Sequence, residues 1–268
     1  MVLDTDTYNE IDDQFAVVYS LLSPDKMTVE AIYAAPFYNE RSTGPGDGMQ
    51  KSYQEILRLL ERLNCSPDNF VYKGSTDYLA SSEQPQDSAA ARDLVERAMA
   101  SSKDDPLYVV AIAAITNVAS AILMKPEIIE RIVVLWLGGH APFWPDTKEF
   151  NLRQDVLASR LIFDCVVPLI QIPCMGVTTH LLTTVAELEK YVRGKGAIGD
   201  FLFETFAAYE KDHFGWSKVI WDIVTIAFLI NHNWAPTDVV HSPNFNGSGH
   251  LERRLWTAFN TPRQLHPS

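Results

Sequence analysis

From Asp4 to Asp13 the chain reads Asp-Thr-Asp-Thr-Tyr-Asn-Glu-Ile-Asp-Asp, four aspartates and a glutamate in ten residues. The stretch links an apolar start (Met1, Val2, Leu3) to a run of helical character, Gln14 to Leu22. Carboxylates crowded at a strand-to-helix junction repel one another and lose hydration unless a cation gathers them. A hard divalent ion with oxygen ligands meets that need, Ca²⁺ ahead of Mg²⁺. The plainer alternative is a solvated acidic turn capping the helix, since Asp is favoured at helix starts. Asp222 adds to the set. It lies in Val-Ile-Trp-Asp-Ile-Val-Thr-Ile-Ala-Phe-Leu-Ile, with no basic residue after Lys218. There it must be paired, cap the following helix or bind a metal. Farther back, Glu149-Phe150-Asn151 precedes a helix opening at Asp155. Asp155 reads as a cap, which leaves Glu149 and Asn151 to point into a cleft.

Positioning such groups requires a scaffold, and 268 residues can bury a substantial core. Apolar runs at Val29–Ala35, Leu107–Ala113, Ile132–Leu137 and Val166–Ile172 barely alternate, as buried parallel strands do. Between and beyond them Gln50–Leu63, Ala89–Ala100, Val118–Met124, Val156–Phe163, Gly199–Glu210 and Lys218–Ile230 carry helical spacing, while Ser42–Gly48 reads as a loop. Strands alternating with helices predict an α/β fold, a mostly parallel central sheet flanked by helices, in a single domain over 1–268. Ligands of open α/β sheets collect at the carboxyl ends of the strands. That rule puts Asp4 and Asp6, Asn39, Thr116 and Asn117, and Gly138 and Gly139 along one edge.

Composition narrows the partners. A net charge of −12 repels polyanions, so nucleic acid is not an expected ligand. Three scattered cysteines (Cys65, Cys165, Cys174) without a framework spacing suggest reduced, buried thiols. The absence of a basic apolar leader and of a long apolar run points to a cytoplasmic protein that does not enter the membrane. Phosphate-binding Gly-x-x-x-x-Gly-Lys, Gly-x-Gly-x-x-Gly and Gly-x-Ser-x-Gly patterns do not occur, and no zinc spacing is present.

Taken together, these segments resemble the calcium-dependent nucleoside hydrolases, the inosine–uridine type N-ribohydrolases. Asp4-Thr-Asp6 and Asp12-Asp13 match the halves of that family's opening Asp-x-Asp-Pro-Gly-x-Asp-Asp, and Ala35–Asn39 looks like its second strand ending in a pocket asparagine. Ile115-Thr116-Asn117-Val118-Ala119, Gly138-Gly139, Glu149-Phe150-Asn151 with Asp155, and Val177-Thr178-Thr179-His180 follow in family order. Asp222 stands where the family has its late metal-binding aspartate. The resemblance implies hydrolysis of the N-glycosidic bond of ribonucleosides through an oxocarbenium-like ribose. It implies one Ca²⁺ ligated by Asp6, Asp13, the Thr116 carbonyl and Asp222, with Asp6 as general base toward the ion's water. Asp12, Asn39 and Asp222 would hold ribose hydroxyls, and Glu149 and Asn151 the 5′ side of the sugar. A homo-oligomer, dimer or tetramer, is usual for such proteins.

The chain departs from the pattern twice. Asp12 lies six positions after Asp6, where the family has four, and Thr7–Glu10 replace its Pro-Gly. Trp221 occupies a position where members accepting pyrimidines commonly have histidine. It looks like the purine-preferring branch, in which the base stacks on an aromatic ring, worth about 1–3 kcal/mol per base. Trp144, Trp216, Tyr8 and Phe143 are candidates for the opposite face. His140 and His213 are candidates for the acid that assists the leaving base. A binding protein on the same scaffold is the alternative. A Mg²⁺-dependent phosphatase is a third reading, with only Lys148 and Arg153 near to stabilise phosphate.

Overall fold

The computed structural model describes residues 1–141, 143–146, 148–245 and 251–252. The rest of the predicted 1–268 domain lies outside them. Six strands, β1 (Val2–Thr5), β2 (Ala31–Ala34), β3 (Val71–Lys73), β4 (Leu107–Ala111), β5 (Ile132–Leu137) and β6 (Leu169–Ile172), form one sheet. Their spatial order is β3-β2-β1-β4-β5-β6 and every pairing is parallel. The chain therefore winds outward in both directions from β1 and β4. Where the winding reverses, the two crossovers leave on opposite faces and open a crevice at the strands' carboxyl ends.

Two apolar layers cover the sheet, and the alternation within β1 assigns its side chains to them. Val2 joins the layer of α3 (Ala89–Ala100), α4 (Thr116–Met124) and α6 (Val156–Asp164). Leu3 joins the layer of α1 (Asp12–Leu21), α2 (Pro45–Leu63), α8 (Gly196–Tyr209) and α9 (Ile223–Ile230). Two further short helices are α5 (Phe150–Gln154) and α7 (Val185–Tyr191).

The structure corrects several boundaries. The edge strand β3 was not expected, since three residues running from buried to exposed leave no periodic signal. Helix α2 starts at Pro45, inside the segment read as a loop. Proline fits a first helical turn, and Gly48 is needed because a Cβ there would collide with the Phe37 carbonyl. Val166 to Pro168 stand outside β6, with Val166 87% exposed at φ 60°. Lys218–Ile230 is not one helix. Its first two residues form β8 (Lys218–Val219), paired antiparallel with β7 (Leu182–Thr183), and α9 begins only after Asp222. The cysteines are free, but Cys65 is exposed and only Cys174 is buried. Among the described residues no helix is long and apolar enough to cross a membrane.

Candidate active site

At the crevice the structure forms a cavity of about 200 Å³ whose wall includes Asp6, Asp12, Asp13 and Asp222. Each arrives by a different route. Asp6 follows β1, and its carbonyl accepts the Asn9 N–H (2.6 Å) in the turn of the longer loop. Asp12 and Asp13 open α1, and Asp13 Oδ1 accepts the Thr5 hydroxyl from the end of β1 (2.6 Å). Asp222 stands immediately before α9, which packs on α1. Its carboxylate makes no capping hydrogen bond, so the capping explanation does not account for it. Asp12 Oδ2 accepts the Trp221 N–H (2.9 Å) and ties the two helix starts together.

Asp12, Asp13 and Asp222 each bring an oxygen within 4.8 Å of the others. All are buried, and both oxygens of buried Asp6 lack any hydrogen-bond donor. Burial, then the charge of Asp13, pushes the Asp6 carboxyl well above its ordinary value. Burial followed by Asp12 raises Asp13 to about 8, and burial followed by Glu10 raises Asp12 to about 6. Asp222 is likewise raised, by burial and then by Asp12. The Lys218 ammonium beside Asp12 is paired to Glu10 and lies over the Tyr209 ring (5.2 Å). Acceptor-only groups in this number fit a hard cation or shared protons, and among the described residues Asp6 has no hydrogen-bond donor. The cluster can hold a metal ion.

Several residues named from sequence stand elsewhere. Thr116 does not line the cavity; its hydroxyl donates to Asp155 Oδ2 (2.8 Å), and Asp155 caps α6. Ile112, the residue after β4, takes the wall position instead. Asn39 stands behind Asn9, donating to its Oδ1 (2.6 Å), because the longer loop puts Asn9 and Glu10 into the wall. Asp4 lies within β1, outside the lining, with Asn117 Nδ2 donating to its Oδ1 (2.8 Å). Exposed His213 also lies outside; its Nε2 is 2.9 Å from the Ala207 and Glu210 carbonyls.

Glu149, Asn151, His140 and Trp221 do line the cavity. Glu149 Oε1 accepts the Asn151 N–H, while Oε2 accepts those of Leu152 and Gly139. Asn151 Nδ2 donates to the Leu137 carbonyl (3.0 Å), which orients its Oδ1 side as an acceptor. Of the proposed stacking partners, Trp144, Trp216, Tyr8 and Phe143 are absent from the lining; Phe150 is the second aromatic in it. Cys174 and Met175 were also missed. The end-of-strand rule applied to β6, and to the residue directly after β4, would have found these two and Ile112.

A doubly wound sheet with an acidic cavity at its reversal point defines an α/β protein built to bind a small polar ligand there. Residues 1–254 match the sequence profile of the inosine-uridine preferring nucleoside hydrolases, and the chain belongs to that family. It is therefore a hydrolase acting on the N-glycosidic bond of ribonucleosides. A relative, the pyrimidine-specific ribonucleoside hydrolase RihA of Klebsiella pneumoniae, is 26% identical over 86% of this chain and 79% of its own. The purine-preferring ribonucleoside hydrolase from Gardnerella vaginalis superposes with a TM-score of 0.73 at 21% identity, over 94% of this chain and 86% of that one. An inosine-guanosine nucleoside hydrolase superposes at 0.70 and 16% identity, over 97% and 88%.

Proposed function

We propose that the protein releases ribose and a free base, with a purine lean, at a Ca²⁺ held by Asp6, Asp13, Asp222 and the main-chain carbonyl of Ile112 in place of Thr116. The observation carrying this reading is the buried, donor-less carboxylate of Asp6 beside three other aspartates in one cavity. A bound Ca²⁺ would supply the charge that neutralises the cluster and orients water and the ribose diol.

The chain's own groups supply the rest. Asp6, its proton affinity raised by burial and then by the charge of Asp13, accepts the proton of the attacking water. Asp12 spends Oδ2 on the Trp221 amide and keeps Oδ1 for a ribose hydroxyl. Asn151 Oδ1 accepts a hydroxyl at the 5′ end, while Glu149 holds that wall through three amides. Trp221 and Phe150 give the base apolar faces, and stacking on one indole contributes about 1–3 kcal/mol.

Ribose release from inosine, adenosine, guanosine, uridine and cytidine, with and without chelator, tests the reading. Turnover in the untreated sample and its loss on chelation are expected. Chelator-insensitive turnover would remove the metal role, and no turnover at all would favour the binding-protein alternative. Trp221→His is expected to lower the purine-to-pyrimidine ratio of kcat/KM about tenfold, by loss of stacking area. An unchanged ratio would show that Trp221 does not select the base.

A further inference from the structure

The carboxyl end of β5 carries a second constellation, separate from the aspartates. Leu137, Gly138, Gly139 and His140 run in sequence past Glu149 and Asn151. The Asn151 amide is fixed on the Leu137 carbonyl and the Glu149 carboxylate on the Gly139 N–H, so the three side chains share one wall. Gly139 takes φ 75°, a left-handed turn that L side chains rarely adopt, and the chain then reverses against the segment after β6. Cys174 N–H donates to the Gly139 carbonyl (2.9 Å) and Ala141 N–H to the Met175 carbonyl (3.1 Å). These two bonds bracket His140.

Within that bracket the Met175 N–H points at His140 Nδ1, 3.2 Å away. A main-chain N–H can only donate, so Nδ1 is the bare acceptor nitrogen and the ring proton is on Nε2. Half-burial favours the uncharged ring, opposed by the charge of Asp146. An imidazole in this state is not an imidazolium acid. It is a rigid donor.

We propose that His140 reads the 5′-hydroxyl of the nucleoside: its Nε2–H donates to O5′ while Asn151 Oδ1 accepts the hydroxyl proton. The assignment rests on the ribonucleoside reading above and makes His140 a specificity residue at the sugar's far end. Opposed donor and acceptor suit a hydroxyl, which is both, and leave a methyl group with two unpaired neighbours.

The test compares inosine with 5′-deoxyinosine, and uridine with 5′-deoxyuridine, by kcat/KM and by calorimetric Kd on the metal-replete protein. The unaltered protein is expected to favour the hydroxylated partner about tenfold, the scale of one hydrogen bond whose partner is left unmet. In His140→Phe, which keeps a ring of similar bulk, the preference drops to within about twofold; His140→Gln, which restores a donor, keeps part of it. The imidazole ¹⁵N spectrum of the unaltered protein shows protonated Nε2 and bare Nδ1, and Nε2 shifts with inosine more than with 5′-deoxyinosine. Undiminished preference in His140→Phe, or a proton on Nδ1, overturns the assignment. Should no nucleoside be hydrolysed, the activity reading fails, and the Kd comparison alone still decides His140.

Discussion

Asp6→Asn is expected to stabilise the metal-free protein while sharply lowering turnover. In the folded chain Asp6 is buried with two unpartnered oxygens beside Asp13, whose own carboxyl is raised to about 8 by burial and then by Asp12. A carboxyl raised by folding binds its proton more tightly in the folded than in the unfolded state. Its favourable contribution is complete below the ordinary value of 3.8 and is lost as pH climbs through the folded value. The metal-free protein should therefore lose stability between 3.8 and about 8. Asparagine cannot ionise and offers Asp13 an amide donor, so the variant's advantage grows across that window. Relief of one unsatisfied buried group is worth about 1–3 kcal/mol, seen as a melting temperature several degrees higher in chelator at pH 8 than at pH 5, relative to the unaltered protein. Turnover should fall about 10²–10⁴-fold, the usual contribution of a positioned base. A variant that is less stable in chelator at pH 8 would show that the Asp6 carboxylate has a stabilising partner in the metal-free protein.

Asp13→Ala is the second large effect. Asp13 joins the Thr5 hydroxyl at the end of β1 to the carboxylate trio at the start of α1 and α9. At the proposed calcium site, removing it would take away one oxygen ligand and leave the remaining carboxylates less charge-dense. Loss of a mere outer partner commonly costs 10–100-fold in metal affinity, so loss of a ligand should leave less than about a hundredth of the activity and little bound calcium. Metal analysis and ribose release on the same preparation check this. Normal calcium content in Asp13→Ala would refute its role as a ligand. Thr5 retains a hydroxyl neighbour in Thr7 (2.9 Å), so the strand end need not collapse in the variant.

How much of this was legible depends on what kind of atom does the work. Asp12, Asp13, Asp222, Glu149 and Asn151 announce themselves because a carboxylate or amide among apolar residues demands a partner. Ile112 does not, since a main-chain oxygen carries no side-chain signature. Thr116 drew attention through its motif, yet its hydroxyl serves the Asp155 cap, and its neighbour Asn117 braces Asp4. Asn39 stands behind Asn9 of the longer loop, whose path no pattern in the sequence specifies. The long buried strands were readable from their Val and Ile runs, whereas three-residue β3 and seven-residue α7 are too short to show a period. Trp234 is 62% exposed: aromatic character alone does not place a ring inside.

Calcium titrated into chelator-stripped protein, with ribose release followed in the same samples, bears most directly on the aspartate cluster. A single binding event per chain is expected, with protons expelled from the buried carboxyls and activity rising in proportion to occupancy. Full activity before any calcium is added, or calcium binding that leaves Asp222→Asn and the unaltered protein indistinguishable, would contradict it.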